Sequence, residues 1–124
     1  MGSNMFISLL VCSLAGQKQT IRLTPGSKAH EIYRREEAEV EEQFYCNYGL
    51  NPQYRDEIEK GEMKVTGVGL DVEARVIEIA SHRFFICTLF VPQLSSTFDN
   101  PHPVIVAFLK AASAFQSERL NRHG

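Results

Sequence analysis

Two adjacent segments in the last half of this chain constrain its fold more than any other feature. Apart from Val76, residues 74–80 (ARVIEIA) alternate between apolar and polar side chains, as a half-buried strand does, whereas residues 84–90 (FFICTLF) form a continuous apolar run. Only Ser81-His82-Arg83 separates them, which predicts a β-hairpin and therefore an antiparallel section. A continuously apolar strand needs cover on both faces, so we expect 84–90 to be a central strand.

The other segments mix strands with short helices. Strand patterns occupy residues 6–14, 19–23, 43–50 and 64–68, and helical patterns occupy 28–35, 53–60 and 104–115. Ser27 is placed to cap the first of these helices. Five glutamates in residues 36–42 predict a solvated face or loop, and residues 117–124 read as a polar tail. We therefore predict one α/β domain spanning residues 1–124.

Charge and cysteine content narrow the class of protein. The chain has 13 basic and 15 acidic residues with no basic stripe, which predicts no nucleic-acid partner. Three cysteines without a CxxC pair favour neither a disulfide framework nor a metal site, and they predict a cytoplasmic protein. The apolar run at residues 5–14 follows no cation and is too short to span a bilayer, so we expect no membrane segment. A buried strand is the preferred interpretation of this run. His82 and His102 lie at turn positions, so we expect their side chains to be exposed.

Four segments follow one another in the order LTPGSKAHEIYRREE, YCNYGLNPQY, MKVTGV with ARVIEIASHRFFICTLFVPQLSS, and NPHPVIVAFLKAA. Together they resemble the second half of a class I glutamine amidotransferase domain of the CTP synthase type. The second segment stands at the place of the family's RHRYEVNP, the third parallels a family stretch containing H-P-E, and the fourth is similar to the closing loop and terminal helix. The resemblance covers about residues 6–112. It implies a partial three-layer (flavodoxin-like) α/β fold with an antiparallel section.

The positions that carry the family's chemistry are replaced here. Glutamine hydrolysis in the family needs a cysteine on a G-x-C-x-G elbow, a histidine base and a glutamate that orients the histidine. This sequence contains no such elbow, and Val91-Pro92-Gln93 stands where the family has H-P-E. Val91 has no titratable nitrogen, and Gln93 has the shape of glutamate without its charge. The resemblance thus implies a homologue or fragment that does not hydrolyse glutamine.

A candidate pocket follows from the same comparison. Tyr45, Cys46 and Asn47 stand where the family has Arg, His and Arg, whereas Tyr48 is retained; with Val91 and Gln93 these residues define the site. No cofactor is expected. Two alternatives stay open, which are a protein-interaction or small-ligand module on a retired scaffold and a thiol enzyme that uses Cys46.

If the elbow half of the domain is absent, as the resemblance implies, assembly should be affected. The first strand, near residues 6–14, would present an unpaired apolar edge, and such an edge is a template for pairing with another chain. We therefore expect a homo-oligomer or a complementing protein partner. A small molecule is the other class of partner that the pocket allows.

Overall fold

The computed structural model describes residues 5–10, 13–34, 36 and 38–123. Residue 123 is described by its backbone alone. The elements in this part of the chain are β1 (Ile7–Leu9), β2 (Gln17–Leu23), α1 (Lys28–Tyr33), β3 (Glu39–Phe44), β4 (Tyr48–Leu50), a 3₁₀ turn (Pro52–Tyr54), α2 (Arg55–Glu59), β5 (Met63–Val68), β6 (Ala74–Ile79), β7 (Ile86–Thr88), a second 3₁₀ turn (Pro92–Leu94) and α3 (Pro103–His123).

Five strands form one antiparallel sheet in the spatial order β3-β2-β5-β6-β7. β1 and β4 pair separately as an antiparallel β1–β4 ribbon. The β6–β7 hairpin forms as expected, with Val76 opposite Thr88. The prediction of an α/β chain with an antiparallel section is confirmed, and the antiparallel pairing extends to every strand pair of the described residues.

Helix α1 is fastened to the sheet at its first turn. The Ser27 hydroxyl accepts a hydrogen bond from the His30 N–H at 3.1 Å, which is the expected cap. The Glu78 carboxylate of β6 accepts the N–H groups of Lys28 and Ala29, each at 3.0 Å. Beside these contacts lies the core, whose buried members are Leu10, Leu14, Ile21, Leu23, Ala29, Val40, Phe44, Val76 and Phe90.

The expectation that residues 84–90 form a central strand is wrong. The strand is limited to Ile86–Thr88 and lies at one edge of the sheet, where Cys87 is exposed. The rest of the apolar run covers other elements. Phe84 contacts Phe108 of α3 with 5.6 Å between ring centroids, and Phe90 lies in the core. Apolar side chains that pack against a helix or into the core from outside the strand give the same sequence pattern as a strand buried on both faces.

The glutamate-rich segment is also different from its prediction as a solvated face or loop. It forms most of β3, in which Val40, Glu42 and Phe44 are buried while Glu39 and Glu41 are exposed. Strand alternation therefore places one of the five glutamates in the interior. The strand predicted at residues 43–50 is divided between the end of β3 and the separate strand β4.

Both ends of the chain depart from their sequence patterns. Residues 117–123, predicted as a polar tail, continue α3, and Arg83 fastens this part of the helix through a two-pronged ion pair with Glu118 at 3.0 and 2.6 Å. At the other end, β1 has only three residues with Ile7 and Leu9 exposed, so it is not a buried strand. Residues 11 and 12 of that expected strand lie outside the described residues. Within the described chain, no helix combines the length and the apolarity that a membrane span requires.

Candidate functional site

The segments that carry the candidate site are held side by side. The Val91 N–H donates to the Gln43 carbonyl at 3.1 Å, and the Cys46 thiol donates to the Leu89 carbonyl at 3.8 Å. These bonds join the end of β3 to the segment that follows β7. The structure therefore places Cys46 beside the chain segment that leads into Val91.

The turn at Val91-Pro92-Gln93 presents no ionisable side chain. Val91 is half-buried in an extended conformation and leads into the 3₁₀ turn Pro92–Leu94, which closes through the Leu94 N–H to the Val91 carbonyl at 3.1 Å. The Gln93 side chain is exposed. A proton acceptor with a pKa near neutrality is the usual requirement for general-base catalysis, and neither residue supplies one.

Cys46 is half-buried, and burial raises the pKa of its thiol above the ordinary value. The charge of Arg75 and a hydrogen bond with the Tyr45 backbone lower the pKa, but their effect is smaller than that of burial. The protonated thiol is therefore favoured, in keeping with its role as donor to the Leu89 carbonyl. A thiolate nucleophile needs the opposite environment.

The other three candidate residues, Tyr45, Asn47 and Tyr48, do not share a cavity with Cys46, Val91 or Gln93. Tyr45 is 64% exposed. Asn47 is exposed and accepts a hydrogen bond from the Ser13 hydroxyl. Tyr48 lines a cleft of about 200 Å³ between the β1–β4 ribbon and strands β6 and β7, and the other five candidates take no part in lining it.

A buried polar cluster lies among residues that no sequence motif brings together. The His102 Nε2 lies 2.6 Å from the Glu42 Oε2, and each side chain is 4% exposed. The His102 Nδ1 accepts the Val104 N–H at 3.0 Å, so the ring proton lies on Nε2 and is donated to the carboxylate. The Tyr33 hydroxyl donates to the same oxygen. We call these three residues the Glu42 cluster.

The Glu42 cluster joins three elements behind the Val91 turn. Tyr33 ends α1, Glu42 lies in β3, and His102 directly precedes α3. The His102 ring also contacts Phe90, the residue before Val91, with 5.9 Å between centroids. The expectation of an exposed His102 in a turn is therefore wrong. The signal that could have found the cluster is Val40-x-Glu42-x-Phe44, in which one carboxylate interrupts an alternating apolar face.

The described residues hold no group of three His, Cys, Asp or Glu side chains that is arranged to bind a metal ion. Each ring nitrogen of His102 is already engaged, by Glu42 and by the Val104 N–H.

Thiol labelling tests the environment of Cys46. At a pH near the ordinary thiol pKa of about 8.5, we expect iodoacetamide to modify Cys46 several-fold more slowly than Cys87, because burial suppresses the Cys46 thiolate whereas Cys87 is exposed. Peptide mass spectrometry reports the two sites separately in one sample. Denatured protein serves as the control, in which both should react alike. Preferential labelling of Cys46 in the folded chain would show an activated thiol.

The chain was compared with protein families and with individual proteins of known function. No family model matches the chain. The chain is 40% identical over 94 residues to the CTP synthase of Cytophaga hutchinsonii, covering 75% of this chain and 17% of the relative. It is 30% identical over 125 aligned positions to the CTP synthase of Chlamydia trachomatis, covering 90% of this chain and 23% of the relative. The chain thus spans about a fifth of the length of these relatives.

Two solved structures share the fold. The glutaminase domain of Trypanosoma brucei CTP synthase, solved with bound acivicin, superposes with a TM-score of 0.79 at 21% identity, over 88% of this chain and 46% of that one. A protein from Thermoplasma acidophilum, described provisionally as one of the subunits of a GMP synthase, gives a TM-score of 0.66 at 9% identity, over 91% and 51%. In sequence and in fold, the chain is similar to one part of the class I glutamine amidotransferase domain of CTP synthases.

Proposed function

We propose that this chain is a non-hydrolysing relative of the glutaminase part of CTP synthase. The single observation that carries the proposal is Val91-Pro92-Gln93 at the place of the family's H-P-E. Whatever else is joined to the chain, this turn supplies neither the imidazole that takes up a proton nor the carboxylate that orients it. Pro92 is common to both patterns, which supports a turn of the same backbone geometry without the family's ionisable side chains.

The surroundings of the turn support the proposal. Residues at the place of the family's Arg-His-Arg are Tyr45, Cys46 and Asn47, so the guanidinium expected to help hold substrate glutamine is missing. Asn47 is engaged with Ser13, and the Cys46 thiol is bonded to a carbonyl. These side chains stabilise loops. Such a pattern is typical of a scaffold whose catalytic residues have been replaced and whose packing has been retained.

The thiol-enzyme alternative receives less support than the binding-module alternative. Activation of a cysteine requires a cationic or basic neighbour that lowers its pKa, and burial has the dominant and opposite effect on Cys46. A binding module needs only an accessible surface, and the cleft beside Tyr48 provides one for a small apolar molecule. We include a cytoplasmic location in the proposal, because a chain with three cysteines and no CxxC pair suits a reducing compartment.

An ammonia-release assay tests the proposal. The purified chain should release no ammonia from glutamine above the buffer background, and the double variant Val91→His, Gln93→Glu should also be inactive because this sequence lacks the elbow cysteine. A glutaminase domain of a matched CTP synthase serves as the positive control. Ammonia release by the unmodified chain that is lost in Cys46→Ser would contradict the proposal and establish the thiol enzyme.

A further inference from the structure

A polar cavity of about 260 Å³ lies beside the Glu42 cluster. Its walls come from the cluster, from β3 and from the loop at residues 95–102 that leads into α3, and they include Glu41, Glu42, Ser95, Asn100 and His102. Among the described residues that line the cavity, two are glutamates and none is a lysine or an arginine. This wall therefore carries negative charge without a basic side chain to balance it.

One oxygen of the Glu42 carboxylate is left for a ligand. Oε2 accepts the His102 Nε2–H and the Tyr33 hydroxyl, whereas no described residue donates a hydrogen bond to Oε1. Oε1 is not enclosed by protein either, because the enclosed side-chain atoms without a partner in the described chain are Thr66 Oγ1 and Arg75 Nε. The Glu42 side chain is only 4% exposed and lines the cavity, so Oε1 meets solvent there.

The Glu42 carboxylate has no cationic partner in the described part of the chain. The His102 Nδ1 accepts the Val104 N–H, so the ring carries a single proton and is neutral. The Tyr33 hydroxyl, which is the other donor to Oε2, is neutral as well. Buried charges in proteins are normally paired with an opposite charge. A cation in the cavity would complete this carboxylate.

The loop on the other side of the cavity is fixed and supplies further polar groups. Thr97 and Asn100 close a turn, in which the Asn100 N–H donates to the Thr97 Oγ1 at 3.0 Å. The His102 N–H donates to the Ser96 Oγ at 2.9 Å and ties the loop to the cluster. The Asn100 side-chain amide makes no hydrogen bond to a described residue, so its oxygen is free to accept an N–H group from a ligand.

These groups suit an organic cation better than a metal ion. Exposed Glu41 and buried Glu42 are neighbours in a strand, so their side chains point to opposite faces and do not chelate one ion. A cationic N–H donor forms a charge-assisted hydrogen bond, which is about twice as strong as a neutral one. We infer that the cavity binds a small organic cation of the ammonium or amidinium class, with the Glu42 Oε1 as the main acceptor and the Asn100 amide as a second contact.

Cation binding here goes beyond the proposed loss of hydrolysis and does not depend on it. The proposed function concerns Val91 and Gln93, and neither residue lines this cavity. Ligand binding and ammonia release are separate measurements, so either conclusion can fail alone.

Probes of matched shape test the inference. Acetamidinium, acetamide and acetate are planar and nearly equal in size, and they differ in charge. In heteronuclear NMR of the full chain, we expect acetamidinium to shift the backbone amide resonances of Ser95 and Asn100 saturably. Its affinity should be at least about tenfold higher than that of acetamide, because only the cation forms a charge-assisted bond with Glu42. Acetate should give no saturable shift, because it meets a carboxylate of the same charge.

Substitutions locate the binding site. Asn100→Lys places an ammonium group at the cavity and should weaken acetamidinium binding at least about tenfold. Gln116→Lys is the matched control, because it makes the same change in charge at an exposed position of α3 that does not line the cavity. It should leave binding unchanged, since surface charges are screened at physiological salt. Glu42→Gln should bring the affinities for acetamidinium and acetamide to within about twofold of each other, because the neutral amide does not select for charge.

Three results would each overturn the inference. They are equal binding of acetamidinium and acetamide to the unmodified chain, shifts that spread over the surface without saturating, and equal effects of Asn100→Lys and Gln116→Lys. Circular dichroism establishes that each variant is folded. If Glu42→Gln does not fold, the two lysine variants decide the question, because Asn100 and Gln116 are both exposed.

Discussion

Glu42→Ala should lower the free energy of unfolding by about 3–5 kcal/mol. The substitution removes the acceptor for the His102 Nε2–H and for the Tyr33 hydroxyl, so both donors lose their hydrogen bonds to Glu42. The bonds that join α1 and the start of α3 to β3 are lost with them. Since domains of this size have a total stability of about 5–15 kcal/mol, the variant should be partly unfolded or close to it at 37 °C. Urea denaturation followed by circular dichroism measures the loss, because the chain has no tryptophan.

The neighbouring glutamate provides the control for this substitution. Glu41 lies in the same strand but is exposed, so Glu41→Ala should change stability by no more than about 0.5 kcal/mol. Glu42→Gln should fall between the two, because the amide oxygen can still accept both hydrogen bonds but has no charge. Equal effects of Glu41→Ala and Glu42→Ala would show that the Glu42 cluster contributes little to stability.

The sequence predicted element types better than it predicted their places in the sheet. Alternation located β5 and β6, and the Ser27 cap located the start of α1, because these depend on residues close in sequence. The position of β7 depends on what covers each face. Phe84 contacts α3 and Phe90 contacts His102, and these partners are distant in sequence, so an apolar run alone could not distinguish an edge strand from a central one.

In the candidate site, too, the sequence located the parts that depend on nearby residues and missed the part that depends on distant ones. The resemblance located the turn at residues 91–93 and the segment at 45–48, and hydrogen bonds from Val91 and Cys46 join these regions. It could not locate the Glu42 cluster, whose residues 33, 42 and 102 come from three elements. The alternation Val40-x-Glu42-x-Phe44 is the one local signal that Glu42 faces inward. Its partners Tyr33 and His102 are distant in sequence, so only the assembled structure shows what the carboxylate contacts.

Phe44→Ala should also lower the free energy of unfolding by about 3–5 kcal/mol, the usual cost of truncating a fully buried phenylalanine. Its side chain has 0% exposure, and its ring meets Phe90 edge-on at 6.1 Å and lies 5.9 Å from the Arg75 guanidinium carbon. Truncation leaves a cavity where the segments carrying Cys46 and Val91 meet, so the Cys46 thiol should also become more reactive. Phe98→Ala is the control with the same chemical change, because Phe98 is 100% exposed and its loss should cost less than about 0.5 kcal/mol. Equal midpoints of urea denaturation for the two variants would show that Phe44 does not anchor the core. A large loss of unfolding free energy in Phe44→Ala alone, together with faster labelling of Cys46, would show that this ring supports both the sheet and the candidate site.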